Sequence, residues 1–488
     1  MTLDIAPLRL AARRRIGERL GPNLAVRMQS DGRALVLNSE TGRWRVLNDA
    51  ALQILEAHVA EPGAVAPPAG TSELLEKRET SPIAGLPQQL FVIYKLTHAC
   101  NYSCTYCYDE PVRRHIDREK RDAAFLQLLE TTLAQPESGV SVLFHGGEPM
   151  LELRTMRRAV DDCEQRWPGR VTFSTQTNGS LLSADAIDFL VDRRVGLSVS
   201  VDGVTADDNA QRVNKKGDPY ASLLATLHAH PRLRPDQLGL NVTVGPQNVG
   251  RLPAIIEQME RDGFRSASFT IFHPTAESAE PAPVSVKSGK HRLTMFGVER
   301  WSASVAASQV LNLVDLVNAG KIREIALQYI IQHALHVQGE DVELTCMTSP
   351  CGMGRNVIAL YPSGEFGPCD TVVAPELFFA DLAAYQRGQR ESALFGAMLA
   401  RDVDRVEPCR SCDVKRLCNG TCPGTALLVE GAPDAVHGFE CAYNFALLSG
   451  LLDRLASGKY RPFVEYCRRH TAARQSLHAE LRGAPNER

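Results

Sequence analysis

From Leu90 to Phe272, short apolar runs alternate with stretches of helical periodicity. Six runs predict strands, at residues 91–94, 140–144, 171–175, 197–201, 238–244 and 268–272. Between them, 121–133, 184–193 and 252–262 repeat apolar residues every three or four positions, which predicts helices with one buried face. Strands alternating with helices build βα units and a parallel sheet. Upstream, 33–38 and 43–48 predict a hairpin joined by 39–42. Asn48 or Asp49 can cap a helix whose Ala51, Leu52, Ile54, Leu55 and His58 share a face. Residues 61–87, rich in Pro, Ala and Gly, predict a linker, and 275–290 a loop. Residues 306–317 and 322–335 predict bridging helices, and the polar end after Thr471 is expected to fray. The expected organisation is a module over 1–60, a linker over 61–87, an α/β domain over 88–275 and bridging elements over 276–345. A cysteine-rich domain over 346–450 and a helical tail over 451–488 complete it.

The 488 residues leave room for several domains of ~100–200 residues each. With 23% charged residues and a net charge of -3, no electrostatic feature asks for nucleic acid or an anionic membrane. Charges interrupt the first fifteen residues where a secretory signal needs an apolar stretch, and no run reaches the ~18 apolar residues of a membrane span. A cytoplasmic enzyme with no nucleic-acid or membrane partner is expected. Thirteen cysteines in such a chain point to metal binding or catalysis rather than to a disulfide framework.

Cys100, Cys104 and Cys107 follow the first of these six strands with C-x3-C-x2-C spacing. Ferredoxin-type clusters take four thiolates, so three from one tight loop leave an iron of a 4Fe-4S cluster open to a small molecule carrying an amine and a carboxylate. C-x2-C is also a zinc signature, so zinc stays open on the triad alone. The spacing, with aromatic Tyr106 before the third cysteine, resembles the radical S-adenosylmethionine superfamily. The resemblance implies a 4Fe-4S cluster that binds S-adenosyl-L-methionine, delivers one electron and releases a 5'-deoxyadenosyl radical. It also implies an α/β fold, a partial (β/α)6 TIM-like barrel that the six repeats fit, with ligands at the carboxyl ends of its strands.

Polar residues collect at those ends. After the second strand come Gly146, Gly147 and Glu148, where paired glycines permit positive φ and close approach to a ligand. The resemblance makes this the motif that accepts the methionine amine. Thr177 and Asn178 end the third strand, and Ser200 and Asp202 end the fourth on one face. Similar residues in the family contact the ribose and methionine, and Val244, closing the fifth strand, joins these cofactor contacts with Tyr106. Arg212 resembles the arginine that meets the cofactor carboxylate, a pairing suited to guanidinium geometry. A cap or turn role is the alternative for each polar residue.

Further on, Cys351, Gly364, Cys369, Cys409, Cys412, Cys418, Cys422 and Cys441 follow the spacing of the seven-cysteine SPASM extension, and resemble it. With Cys346 there are eight thiolates, enough for two more 4Fe-4S clusters. The resemblance implies Cys346, Cys351, Cys369 and Cys422 for one, and Cys409, Cys412, Cys418 and Cys441 for the other. Without Cys346, the first would keep an open iron for substrate. Zinc ribbons are the alternative. Cys163 and Cys467 are expected to be structural. Asp370 resembles the general base of sulfatase-maturing enzymes, its alternative being a brace for the Cys369 loop.

The N-terminal hairpin and helix resemble the small winged-helix leader-peptide recognition element, in which an extended leader adds a strand to a sheet edge. A module that merely packs on the barrel is the alternative. Taken together, the chain reads as an oxidoreductase maturing a ribosomally made precursor peptide with a leader. It would abstract hydrogen and install a cross-link, supplied with electrons by a partner such as flavodoxin or ferredoxin. The rivals are sulfatase-type oxidation of Ser or Cys to formylglycine, epimerisation and quinone-cofactor maturation. From another class come an iron-sulfur electron carrier and a zinc-ribbon binding protein, which leave the strand-end residues unexplained.

Overall fold

The computed structural model describes residues 19–77, 89–107, 116–215, 217–272, 284–288, 291–295, 302–340, 346, 348–372 and 374–481. The N-terminal module holds three antiparallel strands, β1 (Leu24–Met28), β2 (Ala34–Asn38) and β3 (Trp44–Leu47), in the order β1-β2-β3. β1 precedes the expected hairpin. Asn48 is the cap of the helix Asp49–Ala60, its side chain accepting from the Ala51 N–H at 2.9 Å. The expected linker at 61–87 carries a helical turn, Ser72–Leu75, whose Leu74 is buried in the module's own core with Leu24, Val36 and Leu55. Two leucines in a Pro-rich stretch are too few to show periodicity. Period-two alternation sends Leu35 and Leu37 of β2 to the opposite face, into the main core of the molecule.

All six expected barrel strands form and pair in parallel, in sequence order. They are β4 (Gln89–Thr97), β5 (Gly139–Gly146), β6 (Val171–Thr177), β7 (Gly196–Ser200), β8 (Leu238–Val244) and β9 (Ser266–Ile271). Alternation builds two unlike faces. Val140, Val142 and Phe144 of β5 and Leu238, Leu240 and Val242 of β8 are buried, and Tyr94 stacks on Phe125 of the helix Arg118–Leu133 at 4.5 Å. The other face carries Ser141, Ser174, Gln176, Ser200, Asn241 and Thr243, a polar barrel interior.

Several elements differ from expectation. Residues 284–288, inside the expected loop, form β10 (Val284–Ser288), antiparallel to β11 (His291–Met295); the alternating Val284, Val286 and Leu293 carry the strand pattern. The helix expected from 322 begins later, as Gln328–Val337, because β12 (Ala326–Leu327) first pairs with β9. On the far edge β13 (Val357–Leu360) pairs in parallel with β4, and β14 (Phe366–Gly367) in antiparallel with β13, tying the cysteine-rich segment into the barrel sheet. The expected frayed end continues as the helix Arg461–Leu481. The helix Gly438–Ala456 packs on Ala303–Asn318, where Arg454 pairs with both carboxylate oxygens of Asp315 at 2.7 and 2.8 Å. Cys163 and Cys467 are buried. Among the described residues no helix is long and apolar enough to cross a membrane.

Candidate functional site

β4 ends at Thr97, and the next loop carries Cys100, Cys104 and Cys107. Backbone bonds hold this loop from two sides. The N–H groups of Gly147 and Glu148 donate to Thr97 O at 2.7 Å and Ala99 O at 2.8 Å. Ser103 and Thr105 N–H donate to Val213 O at 2.8 Å and Gln211 O at 2.9 Å. Gly146 has φ +122°; a Cβ there would lie 2.3 Å from Thr97 O, and one on Gly147 2.2 Å from Ala99 O. The paired glycines thus let the β5 loop approach the cysteine loop, and only Gly146 of the pair takes positive φ. Burial pushes the Cys104 thiol up to about 12, so a thiolate there needs the compensating charge of a metal.

Glu148 is buried. Its carboxylate accepts from Thr177 Oγ1 at 2.6 Å, Met150 N–H at 3.0 Å and Asn178 N–H at 2.8 Å. Burial pushes this carboxyl up and those donors oppose the shift. The Asn178 amide donates to Asn101 Oδ1 at 2.8 Å and lies 3.9 Å from Cys100 Sγ. Tyr106, Asp202 and Arg212 form one buried group: Tyr106 Oη donates to Asp202 Oδ2 at 2.6 Å, and Arg212 Nη1 donates to Tyr106 Oη at 2.6 Å. Burial raises the Asp202 carboxyl and the Arg212 charge opposes it. Burial would lower Arg212, but Tyr106, Cys104 and Asp202 outweigh it and the guanidinium is held charged. Ser200 accepts from Gln176 Nε2 at 3.3 Å, and Val244 is wholly buried in the core.

Two asparagines escaped the sequence. Asn248 donates to Asp202 O at 2.6 Å and Thr243 O at 2.8 Å, and accepts from Gly245 N–H at 2.9 Å. Asn209 accepts from the Asp202 N–H at 2.8 Å and donates to Gly203 O at 2.9 Å. Together they clamp the loops after β7 and β8, and nothing in their sequence context separates them from surface loop residues. A small cleft opens between Tyr106, Gln211, Thr243 and Phe272.

The cysteines of 346–441 fall into two neighbourhoods. After burial, the larger cause, Cys422 pushes Cys351 up, and Asp370, Cys422 and Cys346 push Cys369 up. Burial, then Cys441 and Cys409, push Cys412 up to about 12, and Cys441, Cys412 and Cys409 act on Cys418. The two sets are Cys346, Cys351, Cys369, Cys422 and Cys409, Cys412, Cys418, Cys441. Backbone N–H groups two residues on, at Tyr102, Met353, Thr371 and Val414, lower the thiols of Cys100, Cys351, Cys369 and Cys412. Such donors favour thiolate over thiol. Cys369 Sγ donates to Asp370 Oδ1 at 3.2 Å. Glu440 accepts from the Cys422 N–H at 2.9 Å, and burial pushes its carboxyl up to about 7. Among the described residues no three His, Cys, Asp or Glu side chains are grouped to hold a single metal ion.

This donor set fits iron-sulfur clusters: three thiols on one loop and two further sets of four, with N–H groups directed at several of them. Arg212 supplies the companion feature, because its Nε is buried and finds no acceptor among the described residues. A carboxylate-bearing cofactor on the three-thiol cluster would satisfy it.

Residues 94–259 match the family described as the Radical SAM superfamily. The chain is 22% identical over 365 residues to the serine-type anaerobic sulfatase-maturating enzyme of Bacteroides thetaiotaomicron, covering 70% of this chain and 84% of that protein. Among solved structures, anSMEcpe with bound AdoMet aligns with a TM-score of 0.59 at 15% identity, over 76% of this chain and 99% of that one. Streptococcus suis SuiB bound to precursor peptide SuiA aligns with a TM-score of 0.53 at 11% identity, over 87% and 100%. At these identities the solved structures speak for the fold.

Proposed function

Because the chain carries a radical S-adenosylmethionine domain over residues 94–259, we propose that it matures a ribosomally made precursor peptide by abstracting hydrogen from one residue and closing a cross-link. The observation that carries this reading is the division of eleven cysteines into one set of three at the barrel mouth and two sets of four beside it. The similarity to SuiB, solved with its precursor peptide, and to a sulfatase-maturating enzyme supports a peptide as substrate.

Bound at the barrel mouth, the cluster and S-adenosyl-L-methionine supply one-electron reductive cleavage and hydrogen abstraction. Cys100, Cys104 and Cys107 would hold that cluster, and the Gly146–Glu148 strip with Thr177 and Asn178 would receive the methionine end. Arg212 would donate its unpaired Nε to the cofactor carboxylate. Tyr106, Ser200 and Asp202 would take the ribose side, with Val244 part of the apolar backing. The two sets of four thiols would hold auxiliary clusters that carry off the second electron, and a flavodoxin or ferredoxin would supply the first. Asp370, beside Cys369, would accept the substrate proton. The N-terminal sheet would take the leader as an added strand.

The Asp370 placement and the sulfatase-maturating relative also favour a second reading, oxidation of Ser or Cys to formylglycine. Both reactions of a serine substrate remove two hydrogens, so mass alone leaves them unseparated. Anaerobically reconstituted protein is incubated with S-adenosyl-L-methionine, reductant and candidate precursor peptides taken from short reading frames in the neighbouring genes. A product lighter by two hydrogens that is silent to hydrazide trapping and resists fragmentation across a ring is the expected outcome. A hydrazide-reactive product establishes the second reading instead.

A further inference from the structure

The N-terminal module and the second set of four cysteines lie at opposite ends of the sequence, yet they touch. Arg19 forms an ion pair with Asp413, the residue after Cys412, and its Nη2 lies 3.4 Å from Ser411 O, the residue before it. The Asp413 side chain is only 15% exposed. In the hairpin turn, Gly42 lies so close to the helical turn Lys415–Cys418 that a Cβ on it would sit 3.2 Å from Leu417 Cδ2 and 3.4 Å from Arg416 Cβ. Behind them, Leu35 and Leu37 share a core with Val414 and Leu417. On the flank, Trp44 Nε1 donates to Val337 O at 2.6 Å, while His336 Nε2 lies 3.1 Å from Arg416 O. The module therefore meets the Cys409–Cys418 loop by ion pair, by close packing and through an intervening helix.

We propose that Arg19 is a positioning residue for this second thiol set, so that docking of the N-terminal module and loading of the cluster reinforce each other. The inference rests on the reading of Cys409, Cys412, Cys418 and Cys441 as ligands of one metal group. A loop that supplies three of four ligands binds best when it is already held in shape, and whatever holds it is in turn held more firmly once the metal is bound. That coupling is reciprocal by thermodynamic necessity. Its size follows from the contact: a half-exposed ion pair changes an equilibrium about two- to fivefold. The consequence for function is that a peptide seated on the module can alter the environment of a cluster without touching it.

The test uses full-length holoenzyme, with Arg19→Ala, Asp413→Ala, Arg19→Lys and the exchanged pair Arg19→Asp with Asp413→Arg. Iron release to a chelator is followed anaerobically, beside the electron paramagnetic resonance spectrum of each reduced protein. The Ala variants are expected to release about four irons two- to fivefold faster, with a change confined to one cluster's signal. Arg19→Lys and the exchanged pair are expected to return toward wild type. Unchanged release and unchanged spectra in both Ala variants overturn the proposal, as does an equal effect on all clusters. Protein that takes up zinc and no iron defeats the cluster reading instead, and zinc release from the same variants then still tests the bracket.

Discussion

Cys100, Cys104 and Cys107 belong to one loop whose anchors are backbone groups, from Thr97 and Ala99 on one side to Gln211 and Val213 on the other. The auxiliary cysteines come from separated stretches, and side chains assemble them. Thr371 Oγ1 lies 3.7 Å from Cys369 Sγ and 3.8 Å from Cys422 Sγ, Glu440 binds the Cys422 backbone, and Arg401 donates to Thr421 O at 2.9 Å. On the barrel-mouth loop, side-chain contacts such as those of Asn101 with Asn178 and of Tyr106 with Asp202 add to a frame that backbone groups already hold. The auxiliary sets depend on residues far away in sequence. That difference predicts where each region breaks.

The largest effect is removal of the triad. Replacing Cys100, Cys104 and Cys107 by Ala is expected to remove about four of about twelve irons and all reductive cleavage of S-adenosyl-L-methionine, leaving both auxiliary sets loaded. Iron assay and chromatography of 5'-deoxyadenosine check it; loss of all iron would mean that the two regions are not independent. Gly147→Ala sharpens the same point with one methyl group. Its Cβ would meet Ala99 O at 2.2 Å and Ala99 C at 2.6 Å, so the backbone must move, a change worth roughly 1–3 kcal/mol or more. It is expected to lose the barrel-mouth cluster selectively, whereas an unaltered iron count would show that the loop yields without consequence.

On the auxiliary side, Asp370→Asn keeps the shape beside Cys369 and removes the carboxylate proposed as the base. Modified peptide is expected to fall roughly 10²–10⁴-fold while 5'-deoxyadenosine still forms, because abstraction precedes proton loss. Full coupling in this variant removes Asp370 from the mechanism, and lost iron assigns it to bracing the Cys369 loop.

The difference between the regions also explains what could be read from the sequence. The alternation of apolar runs placed β4 to β9 within a few residues, and with them the carboxyl ends where the triad, Glu148, Thr177, Asn178, Ser200 and Asp202 lie. Those features are local. What escaped is non-local or too short to show a period: Ala326–Leu327 becomes a strand because β9 lies beside it, β13 and β14 extend the sheet across a long separation, and Leu74 is helical because the module's core receives it. Asn209 and Asn248 act through partners on other loops. The contact between Arg19 and Asp413 spans 394 residues, and no spacing announces it.

The smallest effect concerns the helix Gln328–Val337, which braces the Cys409–Cys418 loop through His336. Burial pulls His333 down to about 4, against its Nδ1 contact with Tyr329 O at 2.8 Å. Burial also lowers His336. A histidine whose folded pKa lies below its unfolded value of about 6.5 stabilises the fold fully above that value, and loses this contribution as pH falls toward the folded pKa, since the unfolded chain takes up the proton first. For His333 the loss between pH 7 and pH 5 is up to about 2 kcal/mol. Anaerobic denaturant unfolding of the holoenzyme at these two pH values, with His333→Phe for comparison, measures it. The variant is expected to be less sensitive to acid by about that amount, and iron release at pH 5 should quicken from the auxiliary sets before the barrel-mouth loop. Equal pH dependence in both proteins would mean that His333 gains its proton without leaving its place, and that the acid sensitivity of the auxiliary region lies elsewhere.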